Sequence, residues 1–233
     1  MNSITVQATD GSGSFAAHVA EPSGAPAGAV VVIQEIFGVN DAMRATAAEI
    51  AAQGYVAVVP DLFWRIQPGI DITDKSDAEW QQAMSYMKAF DQDRGVDDLR
   101  ATLAAARALP GSNGRAGTIG YCLGGRLAMM MATRSDADVN VSYYGVGLDE
   151  LLPELPQVRA PLLLHVAGAD AFFPAEGRAR VLEAVRSHPG IQAWEYAGAD
   201  HAFARVGGTH FDAQAAALAN SRTAEALASA LRG

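Results

Sequence analysis

The sequence predicts an α/β fold, a mostly parallel β-sheet with helices on both faces. Three observations predict it. Short apolar runs bounded by Gly or Pro recur along the chain, as strands buried on both faces do. Between them lie Ala- and Leu-rich stretches with helical spacing. The two kinds of segment alternate, and repeated strand-then-helix order builds a parallel sheet.

Taken in order, residues 5–6 and 15–19 flank Asp10-Gly11-Ser12-Gly13, a turn signal, and read as an antiparallel pair at the sheet edge. Ala29–Ile33 (AVVVI) is a clear buried strand, and 42–53 is the helix after it. Residues 55–59 (YVAVV) form the next strand. The segment 64–91 then interrupts the alternation with Pro68-Gly69, scattered acids and an amphipathic stretch over 78–90. It reads as an excursion over the strand ends, where α/β folds place their active sites. Helix 95–108, strand 117–120 and helix 123–133 follow. Strands 139–144, 161–166 and Ile191–Tyr196 then alternate with helices 174–187 and Ala213–Leu231. No internal repeat or low-complexity linker divides the 233 residues, so one domain is expected.

Composition excludes several classes of function. Half the residues are apolar and 18% are charged, which suits a buried core and not a disordered tail. A net charge of −9 argues against coating DNA or RNA. No apolar run approaches the ~18–20 residues of a membrane span, so no membrane partner is expected. The N-terminal residues lack a basic patch followed by an apolar segment, so no signal peptide is expected. The single cysteine cannot form an intramolecular disulfide or a thiolate-rich metal cluster. The expectation is a cytoplasmic protein, monomeric, with no metal and no cofactor. No His/Glu/Asp group has metal-ligand spacing.

That cysteine lies in Thr118-Ile119-Gly120-Tyr121-Cys122-Leu123-Gly124-Gly125, which joins a strand to a helix. The segment matches G-x-C-x-G, the cysteine form of the nucleophile elbow of α/β-hydrolases. A nucleophile in so sharp a turn leaves no room for neighbouring side chains, and Gly120 and Gly124 leave that room. The helix that follows points its N-terminus at the sulfur and favours negative charge there. The alternative is a small buried thiol in the core.

The partners follow in the order this fold demands: nucleophile, acid, histidine. Asp170 comes just after the strand at 161–166, and His201 just after Ile191–Tyr196. Asp200 is a rival acid, but as the neighbour of His201 it should aim away from the imidazole. His165 reads as a satisfied core or near-surface histidine. His18, His188 and His210 read as surface residues.

These residues resemble the dienelactone hydrolase family (carboxymethylenebutenolidases) over about 30–227. The resemblance rests on Gln34-Glu35-Ile36-Phe37-Gly38, Pro60-Asp61-Leu62-Phe63, the cysteine elbow, Tyr143-Tyr144-Gly145-Val146-Gly147 and His201-Ala202-Phe203-Ala204-Arg205. It implies an α/β-hydrolase fold and a triad of Cys122, His201 and Asp170. It also implies hydrolysis of an enol-lactone, dienelactone to maleylacetate, in chloroaromatic breakdown. The loop after strand Ala29–Ile33 supplies part of the oxyanion hole in this fold, so the Ile36 and Leu123 N–H groups are the expected donors. A carboxylate at Glu35 beside the thiol would keep it protonated, since like charges disfavour one another. The resemblance implies that Glu35 holds Cys122 quiet until an anionic substrate moves it.

Arg205 matches a family arginine that binds the substrate carboxylate, and a guanidinium can do so with two parallel hydrogen bonds. A second family arginine and a tyrosine are replaced, by spacing, with Trp80 and Met84. Arg65 and Arg94 are the candidate substitutes. Phe37, Trp80 and Tyr143 are expected to line the substrate pocket; the alternative for Tyr143 is a buried aromatic with its hydroxyl paired. Two other functions stay open on the same residues: a broad ester or thioester hydrolase, and a thiol-redox protein without turnover. The absence of a second cysteine weighs against the latter.

Overall fold

The computed structural model describes residues 2–24, 27–110 and 112–232. Its internal contacts divide the chain into two compact units, Met1–Gly117 and Thr118–Gly233.

In the first unit the strands run β1 (Asn2–Gln7), β2 (Ser14–Ala20), β3 (Ala29–Ile33) and β4 (Val56–Pro60), in the spatial order β1-β2-β4-β3. β1 and β2 pair antiparallel with Val6 opposite Phe15. Their turn is closed by the Asp10 carboxylate, which accepts from the Ser12 amide and hydroxyl. β2 runs antiparallel to β4, and β3 parallel to it. Every residue of β3 and β4 is buried, which is why both read as continuous apolar runs. Helix α1 (Asp41–Ala52) starts at Asn40, whose side-chain oxygen accepts from the Met43 amide.

The segment after β4 carries helix α2 (Asp77–Ala89). Ser76 and Glu79 cap it: the Glu79 amide donates to Ser76 Oγ, and Ser76 Oγ donates to Glu79 Oε2. Its start is tied down by a bridge between Gly38 and Asp71, by Asn40 Nδ2 donating to Ile72 O, and by an Arg44–Asp71 ion pair. Helix α3 (Gln92–Arg107) begins three residues before its predicted start, because Asp91 caps it through the Asp93 and Arg94 amides.

The second unit holds β5 (Ala116–Tyr121) from Thr118 on, β6 (Asn140–Tyr143), β7 (Leu162–Ala167) and β8 (Ile191–Tyr196), adjacent in that order and all parallel. Helices α4 (Leu123–Arg134), α5 (Ala175–Val185) and α6 (Ala213–Leu231) alternate with them. A 3-10 helix over Leu148–Gln157 was not predicted. Its two prolines, Pro153 and Pro156, hide any α-helical signal. Among the described residues no helix is long and apolar enough to cross a membrane.

Candidate active site

β5 ends at Tyr121 and α4 begins at Leu123, leaving Cys122 alone in the turn with φ 58° and ψ −115°. That conformation is rare for a residue with a side chain and costs on the order of 1–3 kcal/mol. The glycines around it explain how the turn closes. A Cβ on Gly120 would lie 1.8 Å from the Gly124 carbonyl oxygen, and one on Gly125 would lie 2.6 Å from the Tyr143 carbonyl oxygen. The Cys122 amide donates to Tyr143 O at 3.1 Å, and Cys122 O accepts from the Arg126 amide at 3.2 Å. Leu123 is the first residue of α4, so no intrahelical carbonyl can take its N–H. Cys122 is buried, 8% exposed.

The acid and the histidine stand on neighbouring loops that are hydrogen-bonded to each other. The Gly168 amide donates to Tyr196 O and the Ala169 amide to Ala199 O, both at 2.9 Å. Asp170, after β7, is 4% exposed. Its Oδ1 accepts from the Phe172 amide at 2.8 Å, and its Oδ2 accepts from His201 Nδ1–H at 2.8 Å. A carboxylate only accepts, so this bond places a proton on Nδ1. Asp200 is turned away as predicted. Its Oδ1 accepts from the His201 backbone amide at 2.7 Å, and its Oδ2 pairs with His210 Nδ1 at 2.6 Å.

His201 carries the electrostatics of the site. Burial by itself would lower its pKa, but the hydrogen bonds to Asp170 and to the Cys122 sulfur, with the charge of both, outweigh burial and raise it to about 10. At neutral pH the ring is therefore an imidazolium facing the sulfur. The Tyr144 and Phe172 rings meet it edge-on at 5.2 and 5.0 Å between centroids.

Cys122, Leu123, Asp170 and His201 are thus brought together, and two predictions need correction. Tyr143 does not line a pocket. It is 1% exposed, and its hydroxyl is held by Asn220 Oδ1 at 2.8 Å and Thr223 Oγ1 at 2.7 Å. Side chains alternate at a strand end, and it is the next residue, Tyr144, that faces His201. The Tyr-Tyr pair was the only sequence signal for it. His18 and His188, expected at the surface, are half-buried; His210 is exposed. His165 is a satisfied core histidine, bonded to Tyr196 Oη and Thr223 Oγ1. Burial, followed by the charge of Arg222, lowers its pKa to about 3 and keeps it neutral.

In the first unit, Glu35, Ile36 and Phe37 are each 3% exposed in the loop after β3. Gln34 holds that loop, accepting from the Leu62 amide and donating to Glu35 O. The Phe37 and Trp80 rings, both predicted to meet substrate, pack together at 5.7 Å. Arg65 does not substitute for the absent family arginine. It forks onto Asp98 at 2.8 and 2.9 Å and pairs with Asp10, bonds that raise its pKa. Arg94 pairs with Asp91. Arg205 lies half-buried in the turn after His201, its amide donating to Ala202 O. Among the described residues no group of three or more His, Cys, Asp or Glu could hold a metal ion.

An Azospirillum brasilense protein provisionally named a carboxymethylenebutenolidase is 52% identical over 228 residues, covering 96% of each chain. The carboxymethylenebutenolidase of Pseudomonas putida is 44% identical over 225 residues, covering 97% of this chain and 95% of its own. A Klebsiella pneumoniae crystal structure, provisionally named a dienelactone hydrolase, superposes with a TM-score of 0.82 at 23% identity, covering 97% of this chain and 98% of its own. The family model for dienelactone hydrolases matches residues 15–231, and the chain belongs to the dienelactone hydrolase family, with its α/β-hydrolase fold.

Proposed function

We propose that the protein opens an activated enol-lactone, dienelactone to maleylacetate, through an acyl-enzyme on Cys122. The observation that carries this reading is the hydrogen-bonded line from the Asp170 carboxylate through His201 to the Cys122 sulfur, which keeps an imidazolium against the nucleophile. The Cys122 thiolate attacks the lactone carbonyl, and the negative charge passes to the carbonyl oxygen. The Leu123 N–H, free of any intrahelical carbonyl at the start of α4, receives it in this reading. Ile36 N–H, the second donor, rests on the sequence argument, as does the restraint of Cys122 by Glu35. Collapse breaks the ring C–O bond. The enolate leaves, takes the proton of the His201 imidazolium, and becomes the ketone of the oxo acid. His201, now neutral, takes a proton from water, whose oxygen attacks the thioester; the thiolate departs and regains its cation. The enolate is a good leaving group, which suits a thiolate nucleophile; an amide offers none. A reducing compartment such as the cytoplasm would keep the lone thiol competent.

One observation favours a second reading, a hydrolase of simple esters or thioesters. Of the candidate replacements for the second carboxylate-binding arginine, Arg65 is held by the buried Asp98. A substrate with a single carboxylate, held by Arg205, asks for no second cation. A panel of dienelactones and aryl esters separates the two: comparable rates on both favour the broader enzyme. The acyl-enzyme is tested by mass spectrometry after brief exposure to an activated lactone. An adduct on Cys122, absent from Cys122→Ala, is expected; turnover without any adduct would remove the covalent mechanism.

A further inference from the structure

Arg178, in α5, is a buried cation that the chemistry above does not use. It is 8% exposed, and among the described residues no carboxylate pairs with it. Its partners are three backbone carbonyls of one turn. Nη1 donates to Asp170 O at 2.9 Å and to Phe173 O, and Nη2 donates to Gly168 O at 2.6 Å. Burying a guanidinium without a counter-ion is costly, and an apolar side chain of similar volume would be cheaper at a site that only needs filling.

The position of those carbonyls gives the charge a use. They bracket the acid, one before it, one on it and one three residues beyond. The same turn aims the Asp170 side chain by bonding Oδ1 to the Phe172 amide. It also touches the His201 loop, through the Gly168 and Ala169 amides, and a Cβ on Gly168 would lie 2.6 Å from Ala197 Cα. A planar fork with five donors in fixed directions can hold three carbonyls at once, which an ammonium on a flexible stem cannot do with the same geometry.

We propose that Arg178 is a positioning residue for the acid–histidine pair: through the Gly168, Asp170 and Phe173 carbonyls it sets where the Asp170 carboxylate meets His201. The proposal rests on the roles given to Asp170 and His201 above. Arg178 touches no reacting atom and acts only through the turn.

The test reads the His201 titration by NMR of its ring proton, alongside kcat and KM on a dienelactone, in Arg178→Met and Arg178→Lys. With the turn released, Asp170 no longer meets Nδ1 squarely. The His201 titration is then expected to fall by at least about 1 pH unit, and kcat by up to about 100-fold with KM nearly unchanged. Arg178→Lys falls between Arg178→Met and wild type, and millimolar guanidinium restores part of the activity of Arg178→Ala. Arg180→Met, on the same helix but at the surface, leaves the titration in place. A folded Arg178→Met with wild-type His201 titration and kcat within twofold overturns the proposal. Should Arg178→Met not fold, Arg178→Lys decides: a wild-type titration there overturns the proposal, and a lowered one supports it. Cys122→Ala keeps the two questions apart. If it stays active, the hydrolytic assignment fails while the titration still reports on Arg178. If it is inactive and the titration in the Arg178 variants is unmoved, Arg178 alone is misassigned.

Discussion

Replacing Asp170 with Asn removes one negative charge at 2.8 Å from His201 Nδ1 and leaves the size of the side chain almost unchanged. In the wild type the ring titrates at about 10 against an ordinary value of 6.5, despite burial that works the other way. Losing an opposite charge at such range lowers a histidine by about 1–3 pH units, so His201 in Asp170→Asn should titrate between about pH 7 and 9. The sign for stability follows from the direction of the shift. A histidine whose folded pKa is raised stabilises the fold fully below its unfolded value and loses that contribution as pH rises through the folded one. At about 1.4 kcal/mol per pH unit, Asp170→Asn forfeits roughly 1.4–4 kcal/mol at pH 6. This pH-dependent part of the gap narrows as pH rises and closes above about pH 10. Proton–carbon NMR of the imidazoles, with His201→Gln for assignment, reads the titration; urea unfolding between pH 6 and 10 reads the stability. A His201 titration within a few tenths of the wild type, or a gap that widens with pH, would refute the reasoning.

Tyr143→Phe leaves Asn220 and Thr223 without their shared hydroxyl and should cost about 1–3 kcal/mol in urea unfolding, with KM unchanged because the ring does not meet substrate. Gly120→Ala drives a Cβ to 1.8 Å from backbone and should destabilise by at least the ~1–3 kcal/mol of an overpacked core, visible as a lower Tm and reduced soluble yield. Asp98→Asn removes the buried charge from the Arg65 fork while Asp10 and Ser12 still hold the guanidinium, and should cost about 1.5–3 kcal/mol, the worth of hydrogen bonds to a charged group. Asp10→Asn, at the solvent-facing end of the same arginine, should move the unfolding midpoint far less than Asp98→Asn in the same assay.

The parts of the site legible in the sequence are those whose physics is local. A nucleophile held at φ 58° needs glycines two residues before and after it, and those glycines are written beside Cys122. Asp170 and His201 were found by their places after two apolar runs, because the sheet brings successive strand ends side by side. What was hidden depends on which way a side chain turns or on partners far along the chain. Tyr143 and Tyr144 are identical in composition, and only the pleat decides that one bonds to α6 while the other faces His201. An arginine in an amphipathic helix reads as solvated, so Arg178 gave no sign of its buried carbonyls. Arg65 was a candidate for substrate until Asp98, thirty-three residues on, proved to hold it. The two prolines in Leu148–Gln157 concealed a helix of a different period.

The self-capped excursion has a bearing on how such an enzyme changes over time. Its entry is fastened by Asp71 and Ile72, and its helix is started by Ser76 and Glu79, with Thr73 also bonded to the Glu79 carboxylate. Met84, 42% exposed on the same helix, takes no part in these fastenings. Exchanges at an exposed position away from caps and pairs are usually worth within about 0.5 kcal/mol. Met84 is therefore a position the scaffold leaves open: new side chains can be sampled there at little cost to the fold, on a segment whose own caps keep it in place.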